Sequence, residues 1–86
     1  MTLFDLITRS QSLRDDILYH LYQARLTQPY APGVAGRALE EVTGGSVAFE
    51  LGYLIERGYV ASASDQRYCI TADGIDQIEG GLKASA

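Results

Sequence analysis

The sequence of 86 residues has few of the side chains that form covalent or metal cross-links. It contains one cysteine, Cys69, and one histidine, His20. A single cysteine excludes a disulfide within the chain, and these two residues are too few for the usual zinc site of nitrogen and sulfur ligands. The low cysteine content is typical of a reducing compartment, so we expect a cytoplasmic location.

The sequence also lacks long apolar runs and catalytic motifs. No apolar stretch approaches the roughly 20 residues that cross a bilayer, so we expect no membrane partner. The opening MTLFDLITRS has neither the basic start nor the long apolar centre of a signal peptide. There is no glycine-rich phosphate loop, no nucleophile paired with a base and no cluster of metal ligands. We therefore expect neither an enzyme nor a bound cofactor or metal.

Positive charge is scarce as well. The chain has 7 basic and 11 acidic residues, which gives a net charge of −4. An acidic chain repels phosphate at long range, which argues against a protein that coats nucleic acid without sequence preference. A local basic patch could still bind a specific DNA site. The remaining composition, 47% apolar and 21% charged, is typical of a globular protein, and we interpret residues 1–86 as one domain.

Apolar residues at helical spacing predict two helices in the first third of the chain. Residues 1–10 are expected to form an N-terminal extension that includes a short helix capped by Thr2 and Asp5. Ser12 is then expected to cap the first long helix, which should end at Leu26. Two basic residues of that helix are expected to face away from the core: Arg14 and Arg25.

Proline and glycine mark the next boundaries. The segment TQPYAPG, residues 27–33, predicts a turn with a short edge strand. A second helix is expected at residues 34–42, followed by a glycine turn at residues 44–45. A third helix is expected at residues 46–57, ended by Gly58. The inward stripe of the third helix is expected to be Val47, Leu51 and Leu54.

Two short strands and a last helix complete the predicted order. β-Forming residues predict strands at residues 59–62 and 67–71, joined by the polar turn 63–66. A final helix is expected at residues 72–80, followed by a frayed tail at residues 83–86. The sequence therefore predicts an α+β protein that is mainly α, with a β-hairpin between its last two helices.

Two segments resemble the winged helix-turn-helix superfamily, especially small MarR- or PadR-like bacterial or phage regulators. LIERGYV, at residues 54–60, resembles the end of that family's recognition helix as it enters the wing. YCITADG, at residues 68–74, resembles the last wing strand running into a capped helix. The resemblance covers residues 13–82. It implies a three-helix core with a hairpin wing, a transcriptional regulator that binds double-stranded DNA, and a homodimer formed through residues 3–7 and 75–82.

The resemblance also implies where DNA or another partner would bind. The third helix would enter the major groove, and the wing tip, residues 64–67, would lie near the backbone or minor groove. The amides of residues 44–46 could hold one phosphate. Glu50 would repel phosphate if it faced outward, and the helical position of Gly52 suggests that another group approaches the backbone there. The candidate contact residues are Arg37, Gly45, Ser46, Ala48, Phe49, Gly52, Tyr53, Arg57 and Arg67.

The third helix departs from the family pattern in its side chains. Bases are usually read by Arg, Lys, Asn or Gln, and none of these lies within residues 46–56. Phe49 and Tyr53 would instead give the helix an apolar, aromatic outer face, which is typical of a protein interface. The alternative to DNA binding is therefore protein interaction through this helix. A positive strip formed by the candidate arginines would favour DNA, and a neutral apolar patch would favour protein.

Overall fold

A computed structural model of the protein describes residues 2–30 and 33–85, with side chains as far as residue 81. That part of the chain is mainly helical and has a small antiparallel sheet, which confirms the predicted α+β, mainly α class. The elements, in chain order, are α1 (Leu3–Thr27), β1 (Val34–Ala35), α2 (Gly36–Thr43), α3 (Ala48–Glu56), β2 (Val60–Ala63), β3 (Arg67–Ile70) and α4 (Ala72–Ser85).

One continuous helix, α1, takes the place of the predicted short helix and the long helix that follows it. Thr2 and Asp5 form the predicted capping box, since the Asp5 N–H donates to Thr2 Oγ1 at 3.2 Å and the Thr2 N–H donates to the Asp5 carboxylate at 3.1 Å. The predicted N-cap at Ser12 was wrong. Neither glycine nor proline interrupts residues 3–27, and an exposed serine can remain inside a helix.

The predicted edge strand in residues 27–33 was misplaced by a few positions. β1 consists instead of Val34 and Ala35, which pair antiparallel with β3. α2 therefore begins at Gly36, two residues later than predicted, because pairing with β3 satisfies backbone groups that would otherwise start the helix. Residues 31–32 of the predicted turn lie outside the described residues.

The three strands form one antiparallel sheet in the order β1-β3-β2. The β2–β3 hairpin is the predicted one, although each of its strands differs from the predicted range by one residue. Its turn contains two residues in the left-handed conformation, Asp65 at φ 59° and Gln66 at φ 56°. Such residues allow the tight reversal that a short hairpin needs.

α3 begins at Ala48, two residues later than predicted, and Val47 occupies the N-cap without a side-chain hydrogen bond. The helix ends at Glu56, one residue before the predicted end, and Gly58 follows the C-cap as predicted. Gly58 has φ +78°, and the N–H groups of Gly58 and Tyr59 donate to carbonyls of the last turn at 3.0 and 2.9 Å. These two bonds form a Schellman motif, which fixes the direction of the chain into β2.

α4 begins after Thr71 as predicted, and Thr71 Oγ1 accepts a hydrogen bond from the Gly74 N–H at 3.1 Å. The predicted end of the helix at residues 80–81 was wrong, because the helix continues to Ser85. A glycine inside a helix lowers its stability by about 1 kcal/mol, but it forms a helix C-terminal cap when its backbone is left-handed. Neither Gly80 nor Gly81 has a positive φ, so the helix passes through both residues. The side chain of Leu82 lies outside the described residues.

The core joins the first three helices to the sheet. The predicted inward stripe of α3, which consists of Val47, Leu51 and Leu54, is confirmed. Burial of each of these side chains stabilises the fold by about 1.5–3 kcal/mol. None of the helices in the described ranges has both the length and the apolar character needed to cross a bilayer. The buried apolar residues are Ile17, Leu18, Leu21, Leu39, Val47, Leu51, Leu54, Val60 and Ile70.

Candidate functional site

The inward packing of α3 leaves an outward face that is largely apolar. Ala48, Phe49 and Gly52 are exposed on this surface, which we name the α3 face, and 76% of Phe49 is accessible. A Cβ atom added at Gly52 would meet nothing within 4 Å. Contrary to the expectation from the sequence, no described residue approaches the helix backbone at Gly52. The α3 face is therefore open to a partner.

Glu50 faces inward, and only 8% of it is exposed. The Ser10 hydroxyl of α1 donates a hydrogen bond to Glu50 Oε1 at 3.3 Å. Helical spacing explains the orientation, because position 50 lies on the same side of α3 as Val47 and Leu54. The outward orientation considered in the sequence analysis does not occur, and the α3 face gains no negative charge from this residue.

The turn between α2 and α3 does not offer the predicted phosphate site. The N–H groups of Gly44 and Gly45 both donate to the Glu40 carbonyl, at 2.8 and 3.2 Å. Two of the three amides expected to hold a phosphate therefore end α2 instead. Ser46 is exposed in the turn, close to the start of α3.

The three candidate arginines differ in how far the chain engages them. Arg67 is half-buried and donates to the Gly33 carbonyl at 3.2 Å. Arg57 donates to the Tyr59 hydroxyl at 3.5 Å, and this hydrogen bond raises the pKa of Arg57 above its usual value. Arg37 is exposed in the first turn of α2 and has no hydrogen bond or ion pair with a described residue. Two of the three guanidinium groups thus make one hydrogen bond each within the chain, and Arg37 makes none with a described residue.

Tyr53 turns from the α3 face toward α1. The guanidinium carbon of Arg14 lies 4.1 Å from the centre of the Tyr53 ring, which is a cation–π contact. Arg14 and Arg25 were expected to face away from the core. Arg14 is half-buried, whereas Arg25 is exposed and donates to the Ile70 carbonyl at 2.7 Å. The half-burial of Arg14 could have been predicted from its position three residues before the buried Ile17, because such residues are neighbours on a helix surface.

A second exposed apolar surface lies at the start of α1. The hydrogen bond between Ser10 and Glu50 places this end of α1 beside the start of α3, and residues 3–7 continue beyond that contact. Ile75 and Ile78, expected to share a dimer surface with these residues, pack instead against the core of the same chain. We name the second surface the α1 overhang: Leu3 (73% exposed), Phe4 (75%), Leu6 (50%) and Ile7 (48%).

Comparisons with known proteins do not assign a function. No protein-family model matches the chain, and searches of curated proteins and of solved structures found no significant match. Among the described residues, no group of His, Cys, Asp and Glu side chains is arranged to hold a metal ion. A functional assignment therefore depends on the surfaces described above.

Proposed function

We propose that this chain is a winged-helix module that binds protein through the α3 face. The observation that carries the proposal is Phe49, an aromatic side chain that is 76% exposed beside Gly52. Uncharged aromatic side chains are typical of the centres of protein interfaces. Bases, by contrast, are read mainly by Arg, Lys, Asn and Gln, and residues 46–56 contain none of them.

The order of the elements supports the winged-helix assignment. The chain runs α1-β1-α2-α3-β2-β3, and its strands lie in the order β1-β3-β2. A pair of helices joined by a glycine turn is followed at once by a hairpin, as the sequence resemblance implies. In this arrangement α3 is the helix whose outer face is available for recognition.

The partner that we infer is a second copy of this chain. The α1 overhang and the α3 face lie toward the same end of the molecule, since Ser10 contacts Glu50. Both surfaces are apolar, and each of their large side chains is about half exposed or more. In a twofold dimer the overhang of one copy would cover Phe49 of the other, and symmetry would repeat the contact. The proposed homodimer thus uses residues 3–7 and the α3 face.

The exposed area is enough for a weak dimer. Two copies would contribute ten large apolar side chains, five from each. Complete burial of one such side chain stabilises by about 1.5–3 kcal/mol, so covering part of each gives roughly 10 kcal/mol in total. Association costs about 4–15 kcal/mol in lost freedom of motion. With a cost of about 4–6 kcal/mol, about 4–6 kcal/mol remains in favour of association, which corresponds to a dissociation constant between about 40 μM and 1 mM.

Sedimentation equilibrium between about 10 μM and 1 mM covers that range and tests the proposal. We expect the wild-type protein to dimerise, and we expect Phe49→Ser and Ile7→Ser each to weaken the dimer by at least about tenfold. Tyr30→Ser is the matched control, because this aromatic residue is 98% exposed but lies in the turn after α1. A monomer throughout the range, or equal weakening by the control, would rule out this dimer.

A second candidate function is the binding of double-stranded DNA by a transcriptional regulator. Two observations favour it: Arg37 is exposed and without a partner among the described residues, and the Glu50 carboxylate is turned away from the α3 face. A pool of random duplexes at low salt is the test, because phosphate attraction is strongest there. Retention that weakens as the salt concentration rises would support DNA binding. In Arg37→Gln, the slope of log affinity against log salt concentration should then be reduced by about 1. No retention at low salt would exclude it.

A further inference from the structure

A groove of about 370 Å³ lies between α1, the end of α3 and α4, and it gathers two arginines and two tyrosines. Arg14 lies over the Tyr53 ring at 4.1 Å, and Arg57 lies 5.7 Å from the centre of the Tyr59 ring. Cation–π contacts occur roughly once per 70–80 residues, so two in one groove of an 86-residue chain is a local concentration. This pairing was not predicted from the sequence.

Both guanidinium groups have hydrogen-bonding capacity to spare. Neither Arg14 nor Arg57 forms an ion pair with a described residue. A guanidinium group has five N–H donors in its plane, and stacking on a ring occupies the face of the plane and leaves the edge available. Arg57 uses one Nη2 donor for the Tyr59 hydroxyl, whereas Arg14 makes no hydrogen bond with a described residue.

The two positive charges lie close to the same tyrosine. The Tyr53 ring lies under the Arg14 guanidinium group, and Arg57 lines the same groove one helical turn after Tyr53. Asp15 is the one acidic residue that lines the groove, and it forms no ion pair with either arginine. The groove therefore has an excess of positive charge in a chain whose net charge is −4. The side-chain amide of Gln77 adds a further hydrogen-bond donor to its wall.

We propose that this groove is an oxyanion-binding site for a small compound that carries a phosphate or carboxylate group. Arg14 and Arg57 would donate paired N–H groups to the oxygen atoms, which is the strong, charge-assisted geometry of arginine. The half-buried Tyr59 side chain, which also lines the groove, offers an apolar surface for a short carbon chain on the same compound. The site is separate from the α3 face and does not depend on the proposed function.

The test is a titration of the ¹⁵N-labelled full chain with inorganic phosphate, with glutarate and with sodium chloride. We expect the arginine Nε–Hε signals of Arg14 and Arg57 to shift and saturate with phosphate or glutarate but not with chloride. The anion that binds more tightly identifies the preferred group. Arg14→Gln and Arg57→Gln should each weaken binding by about tenfold or more. Arg37→Gln is the matched control and should bind as the wild type does.

The proposal would be overturned if the arginine Nε–Hε signals shifted with ionic strength in the same way in all three titrations. It would also be overturned if Arg37→Gln weakened anion binding as much as Arg14→Gln and Arg57→Gln do. If Arg14→Gln does not fold, Arg57→Gln at the exposed end of α3 provides the same comparison. Arg14→Lys separates charge from shape, because lysine keeps the charge but lacks the planar pair of donors. If Arg14→Lys bound phosphate or glutarate as tightly as the wild type does, the paired N–H geometry would be contradicted.

Discussion

Replacing Gly74 with alanine should destabilise the protein. Gly74 is buried in the first turn of α4. A Cβ atom at this position would overlap the Tyr59 carbonyl oxygen and would lie only 2.6 Å from Ile70 Cγ1. Carbon atoms in ordinary contact are about 3.5–4.0 Å apart, so the start of α4 would have to move by about 1 Å.

This movement would disturb the hydrogen bonds that attach α4 to the hairpin. The Thr71 N–H donates to the Tyr59 carbonyl at 2.9 Å, and the Gly74 N–H donates to Thr71 Oγ1 at 3.1 Å. Overpacking costs about 1–3 kcal/mol and a lost cap about 1 kcal/mol. The higher helix propensity of alanine returns about 1 kcal/mol. The free energy of unfolding should therefore fall by about 1–3 kcal/mol.

Urea unfolding followed by circular dichroism measures this change, and Gly52→Ala provides the control. Gly52 is also inside a helix, but a Cβ atom there would meet nothing within 4 Å. We expect Gly52→Ala to raise the free energy of unfolding by up to about 1 kcal/mol, opposite in sign to Gly74→Ala. A Gly74→Ala variant as stable as the wild type would refute the packing argument.

Three other outcomes follow from single contacts. Thr71→Ala should lower the free energy of unfolding by about 1–2 kcal/mol in urea, because it removes the bond from Gly74, whereas Thr71→Ser should stay near the wild type. The Tyr22 hydroxyl donates to Glu79 at 2.7 Å, which raises the pKa of Tyr22. The stabilisation from this bond is present below the ordinary tyrosine pKa and is lost as the pH rises through the raised pKa of Tyr22. An NMR titration of Glu79→Gln should show a lower Tyr22 pKa than the wild type has. Phe49→Ser should leave the free energy of unfolding within about 0.5 kcal/mol of the wild type, because the side chain is exposed.

The helices with the strongest apolar periodicity were predictable from the sequence. Burial of the Val47, Leu51 and Leu54 stripe fixes the orientation of α3, so the exposure of Phe49 on the opposite side follows from spacing alone. Local sequence signals were less informative where a residue suits both a helix end and an exposed position inside a helix. Ser12 has the side chain of a good N-cap, yet nothing in its neighbourhood breaks the helix, and the structure has one helix through it.

Contacts between distant parts of the chain were not predictable. β1 is only two residues long and exists through its pairing with β3. The engagement of Arg67 with the Gly33 carbonyl likewise depends on the sheet bringing the two together, 34 residues apart in sequence. These tertiary contacts changed the balance between the functional hypotheses, because they left Arg37 as the candidate arginine without a partner among the described residues.

Paramagnetic relaxation between two copies of the chain tests the proposed interface most directly. A nitroxide is attached to Thr8→Cys, on the exposed side of α1, in a Cys69→Ala background, and this protein is mixed with ¹⁵N-labelled wild type. We predict that the amide signals of Ala48, Phe49 and Gly52 in the labelled copy will broaden as the concentration rises. Unchanged signals at these positions, or broadening confined to α4, would contradict the account.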